Sequence, residues 1–150
     1  MLDKNITDQI GLQFSLDKPS DWERIIPEIW TYANGRRIWL LNGHLGAGKT
    51  TMVKYLMAFL GSTCSVDSPT FSLVNEYETN GADTISKVYH IDLYRLNSTD
   101  EAIDIGLEEI LYGESLVLIE WPELASPLLE DDVVTINIQN EKGVRNIVVL

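Results

Sequence analysis

The feature that most constrains this chain is a glycine-rich segment, Gly43–Thr50, which reads Gly-His-Leu-Gly-Ala-Gly-Lys-Thr. It fits the phosphate-loop pattern Gly-x-x-x-x-Gly-Lys-[Ser/Thr] without a mismatch. Small residues let successive backbone N–H groups converge on a polyphosphate, and the helix that follows points its positive end at the same place. Chance would produce the pattern at roughly 2 × 10⁻⁵ per position. We therefore expect a nucleotide-binding site here.

The loop predicts a role for each polar residue. Lys49 is expected to reach the β- and γ-phosphates, and the Thr50 hydroxyl is expected to bind Mg²⁺. The residues expected to bind the nucleotide through the loop and the start of its helix are Gly46, Ala47, Gly48, Lys49, Thr50 and Thr51.

Hydrolysis also needs an acid for the metal ion and a group that positions water. Glu120 ends an apolar strand in the manner of a Walker-B acid, and Asp92 ends the strand through Val88 and Ile91. Ligands bind at this carboxyl edge of open α/β sheets. Both acids are taken to be exposed, so their loss is expected to leave stability almost unchanged.

A strand, the glycine loop and a helix stand in series, because the apolar run Ile38–Leu41 precedes the loop and helix formers fill Thr50–Leu60. Spacings of the capping-box type at Ser20 and Ser98 predict two further helices; the first contains Pro27 and ends at Asn34-Gly35, and the second runs to Ile105. Other predicted strands are Gly11–Leu16, Leu73–Tyr77, Ile85–Tyr94, Leu116–Ile119, Val133–Ile138 and Arg145–Leu150, with turns at Asn80-Gly81 and Asn140–Gly143.

These elements predict an α/β fold: one P-loop NTPase-like domain over residues 1–150, with a mixed parallel and antiparallel sheet flanked by helices. A length of 150 residues is typical of one domain.

The single cysteine, Cys64, excludes an internal disulfide. The residues after Met1 do not resemble a secretory signal, and no apolar run is long enough to span a membrane, so we expect a cytoplasmic protein.

The charge of the chain disfavours direct binding to nucleic acid or to an anionic membrane. There are 11 basic and 23 acidic residues, which give a net charge of −12. Twelve acids lie between Asp92 and Asp132 against one base, Arg95. This stretch is either a solvated acidic face or a docking surface for a basic partner.

With two histidines and one cysteine no transition-metal site is expected, and His90 is interpreted as a packed or hydrogen-bonded residue.

Five stretches together carry a family resemblance. They are Gly43–Thr51, Ser68–Tyr77 (Ser-Pro-Thr-Phe-Ser-Leu-Val-Asn-Glu-Tyr), His90–Leu96 (His-Ile-Asp-Leu-Tyr-Arg-Leu), Gly106–Glu109 and Ile119–Glu123 (Ile-Glu-Trp-Pro-Glu). In this order around a phosphate loop they resemble the TsaE family, also called YjeE. This is the small ATPase of bacterial tRNA threonylcarbamoyladenosine biosynthesis.

The resemblance implies a bacterial cytosolic protein that binds ATP and Mg²⁺ and works with two partner proteins, TsaD and TsaB. It would meet tRNA only indirectly, through that complex. By position, Glu120 becomes the Mg²⁺-associated acid and Asp92 the acid near the metal and the attacking water. Thr70 becomes the switch-like residue that senses the γ-phosphate, and Trp121 lies beside the site.

The sequence departs from the family pattern at His44, where Asp is usual, and at Leu124, where Arg is common. The residues near adenine and ribose are less well indicated; Asp17, Lys18 and Arg145 are the candidates. A small P-loop kinase is a weaker alternative, since the five arginines form no cluster after the phosphate-loop helix. Asn140–Gly143 does not match a guanine-reading motif. A non-catalytic ATP-dependent interaction module stays open.

Overall fold

The computed structural model describes residues 11–80 and 85–150, which form one seven-stranded sheet with helices on both faces. The strands are β1 (Leu12–Leu16), β2 (Ile38–Asn42), β3 (Val74–Glu78), β4 (Lys87–Asp92), β5 (Leu116–Glu120), β6 (Val133–Glu141) and β7 (Val144–Val149). The α-helices are α1 (Trp22–Ala33), α2 (Lys49–Phe59), α3 (Thr99–Asp104) and α4 (Leu107–Tyr112). Two 3₁₀ helices cover Pro19–Asp21 and Pro122–Leu128.

The sheet has a parallel centre and antiparallel edges. Its strand order is β1-β7-β6-β2-β5-β4-β3. The four central strands β6, β2, β5 and β4 run parallel, whereas β1, β7 and β3 pair antiparallel with their neighbours. The mixed α/β sheet expected from the sequence is therefore confirmed.

Helices cover both faces of the sheet centre, and this explains why β5 is apolar at every position before its final acid. Leu116 and Leu118 point into a core built with α1 and α2. Val117 and Ile119 point the other way, into a core with α3, α4 and the 3₁₀ helix after β5. A strand buried on both faces has no solvent-facing side, so its sequence does not alternate.

The helix boundaries agree with the sequence except at one start. The first helix ends at Asn34, with φ of 48°, followed by Gly35 in the same left-handed region. Ser20 does not cap this helix, because it lies in a 3₁₀ turn and α1 begins two residues later. Asp21 Oδ2 instead accepts the backbone N–H groups of Asp17 and Lys18.

Both predicted hairpins are antiparallel pairs. The β3–β4 pair is confirmed, although part of its Asn80-Gly81 turn lies outside the described residues. The last hairpin is tighter than predicted: Lys142 and Gly143 form the turn, both with positive φ, as a two-residue type I′ loop requires. Two elements are not predicted by the sequence pattern: α4 and the 3₁₀ helix that follows β5. Within the described ranges no helix is long and apolar enough to cross a membrane.

Candidate active site at the carboxyl edge of the sheet

The strand order brings the phosphate loop and both candidate acids to one edge. β5 lies between β2 and β4, and all three run parallel. In their register Glu120 is opposite both Leu41 and Asp92. The chain leaves β2 into the phosphate loop one residue after Asn42. The loop and the two acids, separated by up to 77 positions in sequence, are therefore neighbours.

The loop's backbone requires its glycines. Gly46 and Gly48 have φ of 81° and 116°, a region that other L-residues rarely adopt. A Cβ atom on Gly43 would lie 2.9 Å from the Ile138 carbonyl oxygen, which is too close. α2 begins at Lys49 directly after Gly48, so its first backbone N–H groups face the loop. This is the arrangement that binds an anion at a helix N-terminus.

Lys49 is buried, and its ammonium group contacts three different parts of the site. Nζ donates to the Gly43 carbonyl oxygen at 2.6 Å. It lies 3.6 Å from Glu120 Oε1 and 4.7 Å from the centre of the Trp121 ring. A carbonyl, a carboxylate and an aromatic face therefore surround the positive charge that is expected to meet phosphate.

Glu120 bridges two cationic or donor side chains. Oε1 faces Lys49, and Oε2 lies 2.7 Å from Nε2 of His90. Glu120 and Asp92 are both buried, at 4% and 5% exposure. The expectation that these acids are exposed is therefore wrong, because the helices and the loop at the sheet edge cover them. The interpretation of His90 as a hydrogen-bonded residue is confirmed.

Asp92 is held by the segment that carries Thr70. The Thr70 hydroxyl donates to Asp92 Oδ2 at 3.3 Å and lies 2.7 Å from the Ser68 hydroxyl. The backbone N–H of Tyr94 donates to Asp92 Oδ1 at 2.9 Å. The Thr70 segment thus contacts the sheet edge directly through this acid.

Trp121 lies beside the site in a left-handed backbone conformation, with φ of 54° and ψ of 60°. That conformation costs a non-glycine residue about 1–3 kcal/mol, and such residues are common at functional sites. The ring stacks at a tilt on Tyr94, with 5.0 Å between ring centres. Tyr94 is a neighbour of the site that the sequence pattern did not single out. Its position two residues after a strand-end acid was the signal that could have found it.

The three residues proposed near adenine and ribose come together at a second cleft, next to Gly48 and Thr51. The pairing of β1 with β7 sets Leu16 opposite Arg145, so Asp17 and Lys18 follow at the same end. The cleft is lined by Leu16, Asp17, Lys18, Pro19, Trp22, Gly48, Thr51, Gly143 and Arg145. Arg145 Nε donates to the Ala47 carbonyl oxygen at 3.2 Å.

Asp21, in the turn before α1, holds the backbone of Asp17 and Lys18, which line this cleft. Its carboxylate accepts backbone hydrogen bonds from Lys18 and Asp17, and these hold the pKa of Asp21 below its ordinary value. Hydrogen bonds to the charged form favour that form.

The donors at the sheet edge fit Mg²⁺ bound together with a nucleotide. Among the described residues no group of three or more His, Cys, Asp or Glu side chains could hold a metal ion by itself. Nucleotide-bound Mg²⁺ needs only one or two carboxylates, because phosphates and waters complete its shell. Thr50, Asp92 and Glu120 offer a hydroxyl and two carboxylates, which are hard oxygen ligands.

Comparison with known proteins identifies the family. The family model for the threonylcarbamoyl adenosine biosynthesis protein TsaE matches residues 16–147. A TsaE protein of Rickettsia felis is 42% identical over 101 residues, which are 67% of this chain and 56% of that protein. One of Bacillus subtilis is 35% identical over 121 residues, which are 81% of this chain and 73% of that protein. The chain thus aligns with little more than half the length of some relatives.

The fold agrees with the sequence relatives. A crystal structure of Bacillus subtilis YdiB superimposes with a TM-score of 0.69 at 27% identity, covering 93% of this chain and 84% of that one. The family model matches most of the chain, and the two relatives are 42% and 35% identical to it. Both findings agree with the motifs that lie together at the sheet edge. This chain belongs to the TsaE family of threonylcarbamoyl adenosine biosynthesis proteins.

Proposed function

We propose that this chain binds ATP with Mg²⁺ at the phosphate loop and hydrolyses it slowly by itself. We further propose that it acts as a nucleotide-dependent switch on the TsaD–TsaB complex in tRNA threonylcarbamoyladenosine formation. The observation that carries the proposal is the group of Lys49, Glu120 and Asp92 at the carboxyl edge of three adjacent parallel strands. Family membership supplies the pathway.

Binding would use charges that are already oriented. The first backbone N–H groups of α2 have no carbonyl partner within the helix and lie directly after the loop, so phosphate oxygens find donors there, whereas the Ala47 N–H already donates to the His44 carbonyl oxygen at 2.9 Å. Lys49 supplies the adjacent positive charge, and the β- and γ-phosphates would become its anionic partners. Asp17, Lys18 and Arg145 would border the nucleoside, because their cleft adjoins Gly48 and Thr51.

Hydrolysis would depend on the two acids and on the Thr50 hydroxyl at the end of the loop. Thr50, Asp92 and Glu120 would hold Mg²⁺, which neutralises charge on the phosphates when it is bound. Asp92 would orient the attacking water, since its carboxylate lies at the sheet edge within hydrogen-bond reach of Thr70. Trp121 would cover the ammonium group of Lys49 and limit its contact with bulk water.

The switch would operate through the segment Ser68–Ser72. Its Thr70 hydroxyl donates a hydrogen bond to Asp92 at the carboxyl edge of the sheet, while the neighbouring Phe71 side chain is 83% exposed. A γ-phosphate beside Thr70 would therefore change the position of an exposed apolar side chain that a partner protein can contact. The exposed acids between Asp100 and Asp132 suit basic groups on the TsaD–TsaB pair, and the net charge of −12 opposes direct contact with tRNA.

Calorimetry with ATP and ADP, and turnover of the chain alone and with TsaD–TsaB, test this proposal. We expect Mg²⁺-dependent ATP binding, slow release of phosphate, faster release with the protein pair, and tighter complex formation with ATP than with ADP. Tight binding without any turnover would favour the non-catalytic ATP-dependent module. Phosphate transferred to an added acceptor instead of water would favour a kinase.

A further inference from the structure

His90 is a polar side chain inside an apolar core. It lies on β4 opposite Leu118, on the sheet face covered by α1 and α2, and it is completely buried. Its ring lies 6.3 Å from that of Tyr77, centre to centre. Nε2 contacts Glu120 Oε2 at 2.7 Å. Nδ1 is also buried, and it has no hydrogen-bond partner among the residues that the structure describes.

The different surroundings of the two ring nitrogens assign the proton on the ring. The ionised Glu120 carboxylate pairs with Lys49 and can only accept, so the Nε2 atom that faces it must donate. A second proton on Nδ1 would be a buried donor without a partner. A lone pair there is the cheaper state, since buried N–H donors are rarely left unpaired. The favoured form is therefore the Nε2–H tautomer.

The hydrogen bond fixes how Glu120 is turned. One carboxylate oxygen is held by His90, and the other faces Lys49, so the group cannot rotate about its last bond without losing a contact. Glu120 is opposite Asp92 in the strand register, so the fixed carboxylate stands next to the second candidate acid.

We propose that His90 is a positioning residue: through an Nε2–H bond it fixes the Glu120 carboxylate in the orientation that ATP hydrolysis needs. This inference rests on the proposed ATPase function and adds a residue to it. Partners that orient a ligating or catalytic side chain typically change activity by about 10- to 100-fold when they are removed.

Two amide substitutions at position 90 separate positioning from packing. Gln carries its amide nitrogen where His has Nε2, and Asn carries it where His has Nδ1. We expect His90→Gln to keep kcat for ATP within about threefold, and His90→Asn and His90→Leu to lower kcat by about 10-fold or more with little change in KM. Equal loss in the Gln and Leu variants would overturn the proposal.

A double-mutant comparison links the effect to Glu120. In a Glu120→Gln background, His90→Leu should lower the residual kcat less than twofold, because the orientation it controls no longer serves an acid. A full additional 10-fold loss would show that His90 acts elsewhere or only through stability, and would contradict the inference.

A spectroscopic measurement tests the tautomer without relying on ATPase activity. The chain has two histidines, so ¹⁵N-histidine labelling gives two sets of ring signals, and His90→Gln assigns them. The ¹⁵N signals of the His90 ring should show a protonated Nε2 and an unprotonated Nδ1. A protonated Nδ1 would refute the assignment. If this result holds while the wild-type chain hydrolyses no ATP, the proposed function fails and the hydrogen-bond assignment stands.

Discussion

Lys49 Nζ lies 3.6 Å from Glu120 Oε1, so the phosphate-loop lysine and the acid at the end of β5 form a buried ion pair. Each side chain is about 95% buried, and neither charge is well solvated. Removing one partner of such a pair leaves the other charge buried and unpaired, which costs more than an exposed pair would. For variants at the two positions, the free energy of unfolding must therefore be measured as well as the ATPase activity.

Lys49→Ala should weaken ATP binding by about 10- to 100-fold, because a charge-assisted hydrogen bond contributes about 1.5–3 kcal/mol. Calorimetry with Mg²⁺-ATP measures this directly. Lys54→Ala is the matched control, since Lys54 lies on the same helix and is exposed. An unchanged dissociation constant for Lys49→Ala would remove the phosphate-loop interpretation.

Glu120→Gln and Asp92→Asn should abolish most turnover while the fold persists, because each amide keeps the shape and an acceptor oxygen. Glu120→Ala should cost about 1–3 kcal/mol of unfolding free energy, since it leaves the buried Nε2–H of His90 without an acceptor. Thermal melts and phosphate release on the same samples separate the two effects. Normal turnover in the amide variants would assign both acids to structure.

Thr70→Ala should blunt the preference of the partner complex for ATP over ADP more than it weakens ATP binding. The Thr70 hydroxyl bonds to Asp92 and Ser68 and not to the phosphate loop. Its loss therefore removes the hydrogen bond that links the Ser68–Ser72 segment to Asp92 at the carboxyl edge of the sheet. Affinity for TsaD–TsaB is measured with each nucleotide. Thr63→Ala, at an exposed position outside the segment, is the control. An unchanged preference would exclude Thr70 as the sensor.

Affinity for the TsaD–TsaB pair should fall as salt rises through about 0.1 M, where the Debye length is about 10 Å. Asp131→Asn with Asp132→Asn should reduce both affinity and its salt dependence. Glu23→Gln with Glu28→Gln removes the same charge from an exposed face of α1 and should change neither. Tight, salt-sensitive binding to bare tRNA would overturn the indirect role.

The Asp21 carboxylate should make a pH-dependent contribution to stability. Its pKa is lowered in the folded chain, so the contribution is complete above the ordinary aspartate pKa of about 4 and is lost as the pH falls through the lowered value. Asp21→Asn should lower the melting temperature at pH 7, and the difference from the wild type should shrink near pH 3. A difference that does not change with pH would contradict this.

Local sequence determined the turns, the helix ends and the buried strands, because these depend on residues that are close together in the chain. The glycines of the phosphate loop fix positive-φ positions that other residues avoid, and Asn34-Gly35 ends α1 for the same reason. The apolar strands before the loop and before Glu120 indicated a buried parallel centre, because a strand covered on both faces cannot alternate. The short α4 was missed, since six residues carry too little periodicity to indicate a helix.

Only the tertiary structure decided what each acid contacts. The sequence shows that Glu120 and Asp92 end strands, but the strand order alone makes them neighbours and sets β5 beside the strand that leads into the loop. Burial of both acids, and the bond from His90 to Glu120, follow from helices and strands that are distant in sequence. The local sequence of the phosphate loop thus determined the type of site. It did not determine which charged side chains pair there, because pairing depends on distances that only the folded sheet defines.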